Sequence, residues 1–257
     1  MKIISWNVNG IRAVDKKGEL ENLLKTCDPG VLLIQETKAQ EDKLGPIIKK
    51  YDIYEQFYNA AERPGYAGTG IWIKKSLHYN ISFSTEFPGY KDTEGRVARI
   101  DLDDWTIFSI YFPNGGKSDE AWQEKLVFYE KFLFYVNKLR QEGRKVIWAG
   151  DVNCAHEEID LARPKDNENS IGFLPEERAW VTKVIKNNWM DIFRYLYPKK
   201  IIYSWWHVIT RARDRNIGWR IDYFFLEEGL MKTVKDIKYL NGQMGSDHCP
   251  VELEISI

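Results

Sequence analysis

Cysteine is scarce and unpaired in this sequence. Cys27, Cys154 and Cys249 make an odd set with no CxxC spacing, which excludes both the disulfide framework of small secreted domains and a cysteine-built zinc site. A reducing cytosol suits such a chain. Long apolar runs are also absent. No stretch approaches the roughly 20 residues of a membrane-spanning helix, and "MKIISWNV" lacks the apolar core of a signal peptide. The expectation is a soluble cytoplasmic protein with no membrane partner. Neither sign of charge is in excess: 37 Lys and Arg face 38 Asp and Glu, for a net charge of -1. The molecule therefore has no global field for nucleic acid, and any such site must be a local patch. Repeats, low-complexity segments and Ser- or Pro-rich linkers are missing too, so residues 1–257 read as one domain, expected to act as a monomer.

What is present is apolar and aromatic. A composition 44% hydrophobic and 14% aromatic suits a globular core large enough to fold without staples, and most of the ten tryptophans belong there. Short runs rich in β-branched and aromatic residues recur: "KIISW", "VLLIQE", "TGIWIK", "VARIDL", "WTIFSIYF", "KVIWAG", "IDYFFL" and "VELEIS". Each has strand length and is bounded by Gly, Asp, Asn or Pro. Between them lie helical patterns. Leu20, Leu23 and Leu24 fit a helix ending near Cys27. A long apolar period of about 3.6 starts at a Ser118 cap and stops at Gly143, and "PEERAWVTKVIKNN" starts with Pro175 in its first turn. Many strands with few helices predict an α/β protein of large sheets covered by helices on their outer faces.

Several strands end in side chains that hold metals or protons: Asn7 and Asn9, Glu36, Tyr111 and Asn114, Asp151 and Asn153. Asp247 and His248 precede the last strand. Singly, most have a structural alternative. Asn9-Gly10 and Asn114-Gly115 make turns, and Asp151 or Asp247 can cap one. Glu36 is harder to dismiss, because a carboxylate ending a buried run needs a partner or a metal. Five strand ends with one chemistry point to a site where loops converge. Hard oxygen donors, with no Cys or His pair at zinc spacing, select Mg²⁺, which completes its shell with water and substrate phosphate. Mn²⁺ is the expected substitute. Asp151 and Asn153, two residues apart, would share a face if the strand continued. "TRARDRNIGWRID" places Arg211, Arg213, Arg215 and Arg220 among Trp205, Trp206 and Trp219. That mixture suits phosphate pairing and base or sugar stacking better than a merely solvated loop.

Taken together and in order, "SWNVNGIRA", "IQETK", "YFPNGG", "GDVNCAHEEIDLARPK", "GFLPEER", "GWRIDYFF" and "GSDHCP" closely resemble the exonuclease III family of AP endonucleases. These belong to the endonuclease/exonuclease/phosphatase superfamily that includes DNase I. The resemblance spans essentially the whole chain. "HEEIDLARP" and "GWRIDYFF" are the elements specific to the AP endonuclease branch. It implies a four-layer α/β sandwich, two mixed sheets face to face with helices outside. It also implies a Mg²⁺-dependent hydrolase that cuts double-stranded DNA 5′ to abasic sites, leaving a 3′-hydroxyl. Accompanying 3′→5′ exonuclease and 3′-phosphodiesterase activities are implied, with nicking at damaged bases such as deoxyuridine in some members.

By the same resemblance Glu36 is the main metal carboxylate, with Asn7 and Asp247 around it. Asp151 orients or deprotonates the attacking water, and Asn153 holds the nucleophile and transition-state oxygens; Asp151, Asn153 and His248 border the metal. Tyr111 sits near the scissile phosphate. His248 contacts that phosphate, and Asp222 orients its imidazole. Asn114 and Asn167 contact DNA, and Trp205, Trp219 and Ile221 wall the pocket for the flipped-out sugar. Lys117 and Ile209 stand where some relatives insert Arg and Met into the duplex, Asn9 where some carry Asp, and Ser170 where others have Asn. The base is Asp151 or His248 and the metal count one or two; the sequence admits both. His156, Glu157, Glu158 and Asp160 read as a bracing loop. Two rivals share much of this set: a Mg²⁺-dependent phosphatase of the superfamily, and a non-catalytic module for damaged DNA. The Arg and Trp residues favour DNA over the first, and a module that only bound DNA would not need Asp151 or Glu36.

Overall fold

A computed structural model describes residues 1–257, except for the side chain of Glu41. In chain order its strands are β1 (Lys2–Asn7), β2 (Val31–Gln35), β3 (Tyr54–Asn59), β4 (Thr69–Lys74), β5 (Ile81–Ser84), β6 (Val97–Leu102), β7 (Trp105–Tyr111), β8 (Lys145–Asp151), β9 (Trp189–Asp191), β10 (Asp222–Glu227), β11 (Val234–Tyr239) and β12 (Val251–Ile255). The helices are α1 (Ile11–Lys16), α2 (Glu19–Cys27), α3 (Gly45–Lys50), α4 (Asp119–Gln141), α5 (Pro175–Lys186) and α6 (Ile192–Leu196). All eight apolar runs of the sequence lie on strands, and the three predicted helices are α2, α4 and α5. Ser118 caps α4, its Oγ accepting from the Ala121 N–H at 3.3 Å.

The strands form two six-stranded sheets, ordered β11-β12-β1-β2-β4-β3 and β5-β6-β7-β8-β10-β9. Each is mixed and holds one parallel pair at its centre, β1 with β2 and β7 with β8. Parallel neighbours need a crossover. Helices α1 and α2 supply it for the first pair and α4 for the second. Three apolar layers follow. Ile3, Leu33, Ile71, Ile100, Ile107, Ile147 and Leu253 fill the space between the sheets. Trp6, Leu20, Leu23 and Trp72 pack one outer face beneath α1–α3. Phe112, Phe128, Phe132, Trp148 and Trp180 pack the other beneath α4 and α5. The result is the four-layer α/β sandwich that the resemblance implied. Among the described residues, no helix is long and apolar enough to cross a membrane.

The parallel pairs decide where the site lies. In register, Asn7 is opposite Gln35 and Tyr111 is opposite Asp151. The carboxyl ends of β1 and β2 therefore leave one sheet at the same edge, as those of β7 and β8 leave the other. Antiparallel β10 starts at that edge, with Asp222 opposite Asp151. Antiparallel β12 likewise starts there, just after Asp247 and His248. Close approach of β7 to β8 is part of the arrangement. At Gly150 (φ 149°) a Cβ would stand 1.9 Å from the Ile110 carbonyl oxygen, so only glycine fits.

Candidate active site

At that edge the two sheets meet through Asn7. Its Nδ2 donates to Glu36 Oε1 at 2.9 Å and to Asp151 Oδ2 at 3.0 Å, so one amide holds a carboxylate from each sheet. Glu36 leaves β2 with a positive φ of 51°, which turns it off the strand into the site. Its other oxygen pairs with Lys38 Nζ at 2.7 Å. Oxygens of Glu36 and Asp151 and a ring nitrogen of His248 all lie within 4.8 Å of one another.

Strand geometry does not continue past Asp151, so the condition for a shared strand face is not met. Asn153 is left-handed, with φ 53°, and a turn rather than a shared strand face brings it to Asp151. The Asn153 N–H donates to Asp151 Oδ1 at 2.8 Å. The Asn153 side chain spans two loops, donating to the Phe112 carbonyl at 2.9 Å and accepting from Asn114 Nδ2 at 3.1 Å.

His248 Nδ1 meets Asp222 Oδ2 at 2.8 Å, and Nε2 stands 3.8 Å from Asp151 Oδ2. Burial alone would lower the imidazole, but Asp222 and Asp151 outweigh it and hold His248 protonated well above its ordinary value. Burial raises Asp151 above the usual carboxylate range; His248 opposes this, while Asp222 and Glu36 add to it. Burial also pushes the Tyr111 phenol well up, helped by Glu36 and Asp151, so it stays a donor. For Asp247, burial is outweighed by His248 and by hydrogen bonds from Asn9 and Trp205, and its carboxyl falls below the ordinary value. Both Asp247 oxygens are engaged, accepting from Asn9 Nδ2 at 2.9 Å and Trp205 Nε1 at 3.1 Å. Asp247 thus ties the pocket wall to the first loop and lines the same cleft as Glu36, Asp151 and His248.

A cleft of about 320 Å³ opens over these groups. Tyr111, Asn114, Trp205, Trp219 and Ile221 line it with the acidic cluster, and so do Ile171 and Gly172, which the sequence reading missed. The other DNA candidates fall into two sets. Lys117 and Arg211 are exposed, Arg211 beside Asp214 at 3.1 Å, and Ile209 is 88% exposed. Asn167 and Arg213 are engaged within the protein, Asn167 in its own loop and Arg213 with the loop between β11 and β12. Asn167 Nδ2 donates to the Arg163 carbonyl at 2.9 Å. Arg213 donates to the carbonyls of Asn241, Gln243 and Ser246.

Arg220 and Trp206 do not belong to a surface patch. Both are buried, and Arg220 pairs with Asp160 and Asp191, each at 2.7 Å. The acidic loop after β8 braces the site: Asp160 accepts from Arg220 and from the Glu157 N–H, and His156 Nε2 lies 2.8 Å from Thr182 Oγ1. Lys38 also escaped the reading. A lysine two residues after Glu36 carries no periodic signal.

The sequence profile of the Endonuclease/Exonuclease/phosphatase family matches residues 4–248. The chain is 40% identical to an exodeoxyribonuclease of Bacillus subtilis (strain 168), over all of both chains. It is 36% identical to the DNA repair nuclease APEX1 of Danio rerio, over all of this chain and 83% of that one. Its structure superimposes on the AP endonuclease LMAP from Leishmania major with a TM-score of 0.90, at 30% identity, covering 98% of this chain and 86% of that one.

Proposed function

This chain belongs to the Endonuclease/Exonuclease/phosphatase family and is a DNA-repair hydrolase of the exonuclease III type, and from that premise we propose that it hydrolyses the phosphodiester 5′ to abasic sites in double-stranded DNA with Mg²⁺. The proposal includes 3′→5′ exonuclease and 3′-phosphodiesterase action at the same centre and incision beside damaged bases such as deoxyuridine. We picture a cytoplasmic monomer of one domain, which its unpaired cysteines suit. The observation that carries the reading is the acidic cluster with its His248–Asp222 pair at the floor of a cleft walled by Trp205, Trp219 and Ile221.

The donor set fits a hard divalent cation. Carboxylates dominate it, and Asn7 already orients both with one amide. Glu36 and Asp151 would hold the ion, with Asn7 as their clamp and Asp247 at its margin. Mg²⁺ bound there supplies positive charge for the phosphoryl oxygens.

The side chains divide the remaining work. Asp151 is assigned the proton from water, as a general base: it is buried, with its Oδ1 held by the Asn153 N–H and its Oδ2 by the Asn7 amide. The Asn153 amide positions that water. His248, held protonated by Asp222, and the Tyr111 phenol donate to the phosphoryl oxygens as charge develops, a preorganised field that needs no rearrangement. This gives the base role to Asp151 and the electrophile role to His248. Trp205 and Trp219, 6.4 Å apart and nearly perpendicular, form with Ile221 a corner shaped for a base-less sugar, while Asn114, Lys117, Ile209 and Arg211 face the duplex. Asn167 and Arg213 shape the loops that carry these contacts.

End-labelled duplexes with an abasic-site analogue, a deoxyuridine or no lesion test the reading. Incision 5′ to the analogue, lost in EDTA and restored by Mg²⁺, is expected. Full activity in EDTA would overturn the metal assignment, and indifference to the lesion would overturn the abasic specificity.

A further inference from the structure

Two charged residues occupy apolar positions on their helices. On α4, Lys125 starts the stripe Phe128, Tyr129, Phe132, Leu133 and Val136. On α5, Glu177 starts the stripe Trp180, Val181 and Val184. Both side chains are 0% exposed and pair with each other. A buried ion pair seldom adds net stability over apolar residues of the same volume, so its presence calls for another reason.

Its remaining hydrogen bonds supply one. Lys125 Nζ donates to the carbonyls of Asn114 at 3.0 Å and Asn153 at 2.8 Å. Glu177 Oε2 accepts from the N–H groups of Gly172 at 2.7 Å and Leu174 at 2.9 Å. Three loops are thus tied to one buried pair, and each lines the catalytic cleft, through Asn114, Asn153 and Gly172. The ammonium holds the carbonyl of Asn153, whose left-handed turn (φ 53°) brings its N–H to Asp151 Oδ1. The carboxylate holds Gly172 (φ 93°) where a Cβ would stand 3.2 Å from the Trp219 ring.

We propose that Lys125 and Glu177 are positioning residues for phosphodiester hydrolysis: the pair sets the register of the Asn114 and Asn153 amides against Asp151, and the depth of the pocket beneath Trp219. The proposal rests on the cleft being the active site. Neither residue lines the cleft, so their effect on catalysis must pass through the backbone they hold.

The test is the double variant Lys125→Met/Glu177→Leu in the full chain, with Asp151→Asn measured beside it on the abasic duplex. Replacing both charges keeps volume and removes the buried ions but leaves two carbonyls and two N–H groups without their partners, so the melting temperature should fall while the fold is kept. The kcat should fall roughly 10- to 100-fold, the scale of an ångström-sized misplacement, with KM changed far less. An unchanged kcat, or a rise confined to KM, overturns the positioning role. If the double variant does not fold, Glu177→Gln, which keeps shape and one acceptor, carries the same kcat-against-KM readout. Undiminished cleavage by Asp151→Asn would instead show that the cleft is not the active site, and the proposal would fall with that reading.

Discussion

Asp222 shows how much one hydrogen bond decides. Its Oδ2 meets His248, while its Oδ1, buried, meets no donor. The nearby arginine that could have claimed it, Arg220, is spent on Asp160 and Asp191. Asp222 therefore serves the imidazole, and the two should behave as one unit. Asp222→Asn should slow abasic-site cleavage strongly in the native background and weakly beside His248→Asn. The coupling should be on the order of 1–3 kcal/mol in a double-mutant cycle on kcat/KM; independent, multiplying effects would contradict the pairing. Asp160 makes a prediction about pH. Burial raises it, but Arg220 and Arg194 outweigh burial and hold it at about 2. A folded-state value below the unfolded one, about 3.9, means that the stabilisation is complete above pH 4 and disappears as pH falls towards 2. The native protein should lose about 2–3 kcal/mol over that window that Asp160→Asn does not lose, read by urea unfolding at stepped pH. Parallel pH slopes would contradict it.

At the scale of elements, the apolar runs legible in the sequence became the interior of both sheets. The strands that the pattern failed to show are β3, β5, β9 and β11, and all four are sheet edges. For β9 the reason is length, three residues of largely buried chain; for the other three it is burial. Central β2 is buried along its whole length, whereas β3 and β5 are mostly half-exposed and β11 alternates. An edge strand needs apolar residues on fewer positions and carries charge against edge-to-edge pairing, so "VKDIKY" and "YEQFYN" hide among loop sequences. The β7–β8 contact gives the element-level prediction. Gly150→Ala places a methyl on the Ile110 carbonyl and should cost about 3 kcal/mol, the upper end of the usual overpacking penalty, read as a lowered urea midpoint or loss of soluble protein. A midpoint within error of the native one would show that the strands can part without penalty.

Over the whole molecule, a net charge of -1 coexists with a proposed DNA-binding face. Affinity for duplex should still fall steeply with salt, because counterion release follows local phosphate contacts and not net charge. Arg211, exposed at the loop rim, should contribute about 1 to the log–log salt slope. Arg213, bonded to three carbonyls beside the Asp247–His248 loop, should contribute to thermal stability instead. Filter-binding salt titrations and melting curves of Arg211→Ala and Arg213→Ala separate the two, and an unchanged slope for Arg211→Ala would place it off the DNA.

The sequence alone determined the apolar strands, the three longer helices and the kind of chemistry, because these rest on local periodicity and residue type. Hard oxygen donors at strand ends point to a hard cation and a phosphate-bearing substrate wherever they end up. Tertiary structure decided which of them meet. Asn7 reaches Asp151 across two sheets, and His248 finds Asp222 only because β10 and β12 both start at the edge where the parallel pairs end. It also sorted identical residue types by burial. Arg220 became an internal strut while Arg211 stayed on the surface, and Lys125, a helix lysine like many others in composition, became the buried cation holding Asn114 and Asn153. Such assignments depend on partners distant in sequence, whose contacts no local pattern can encode.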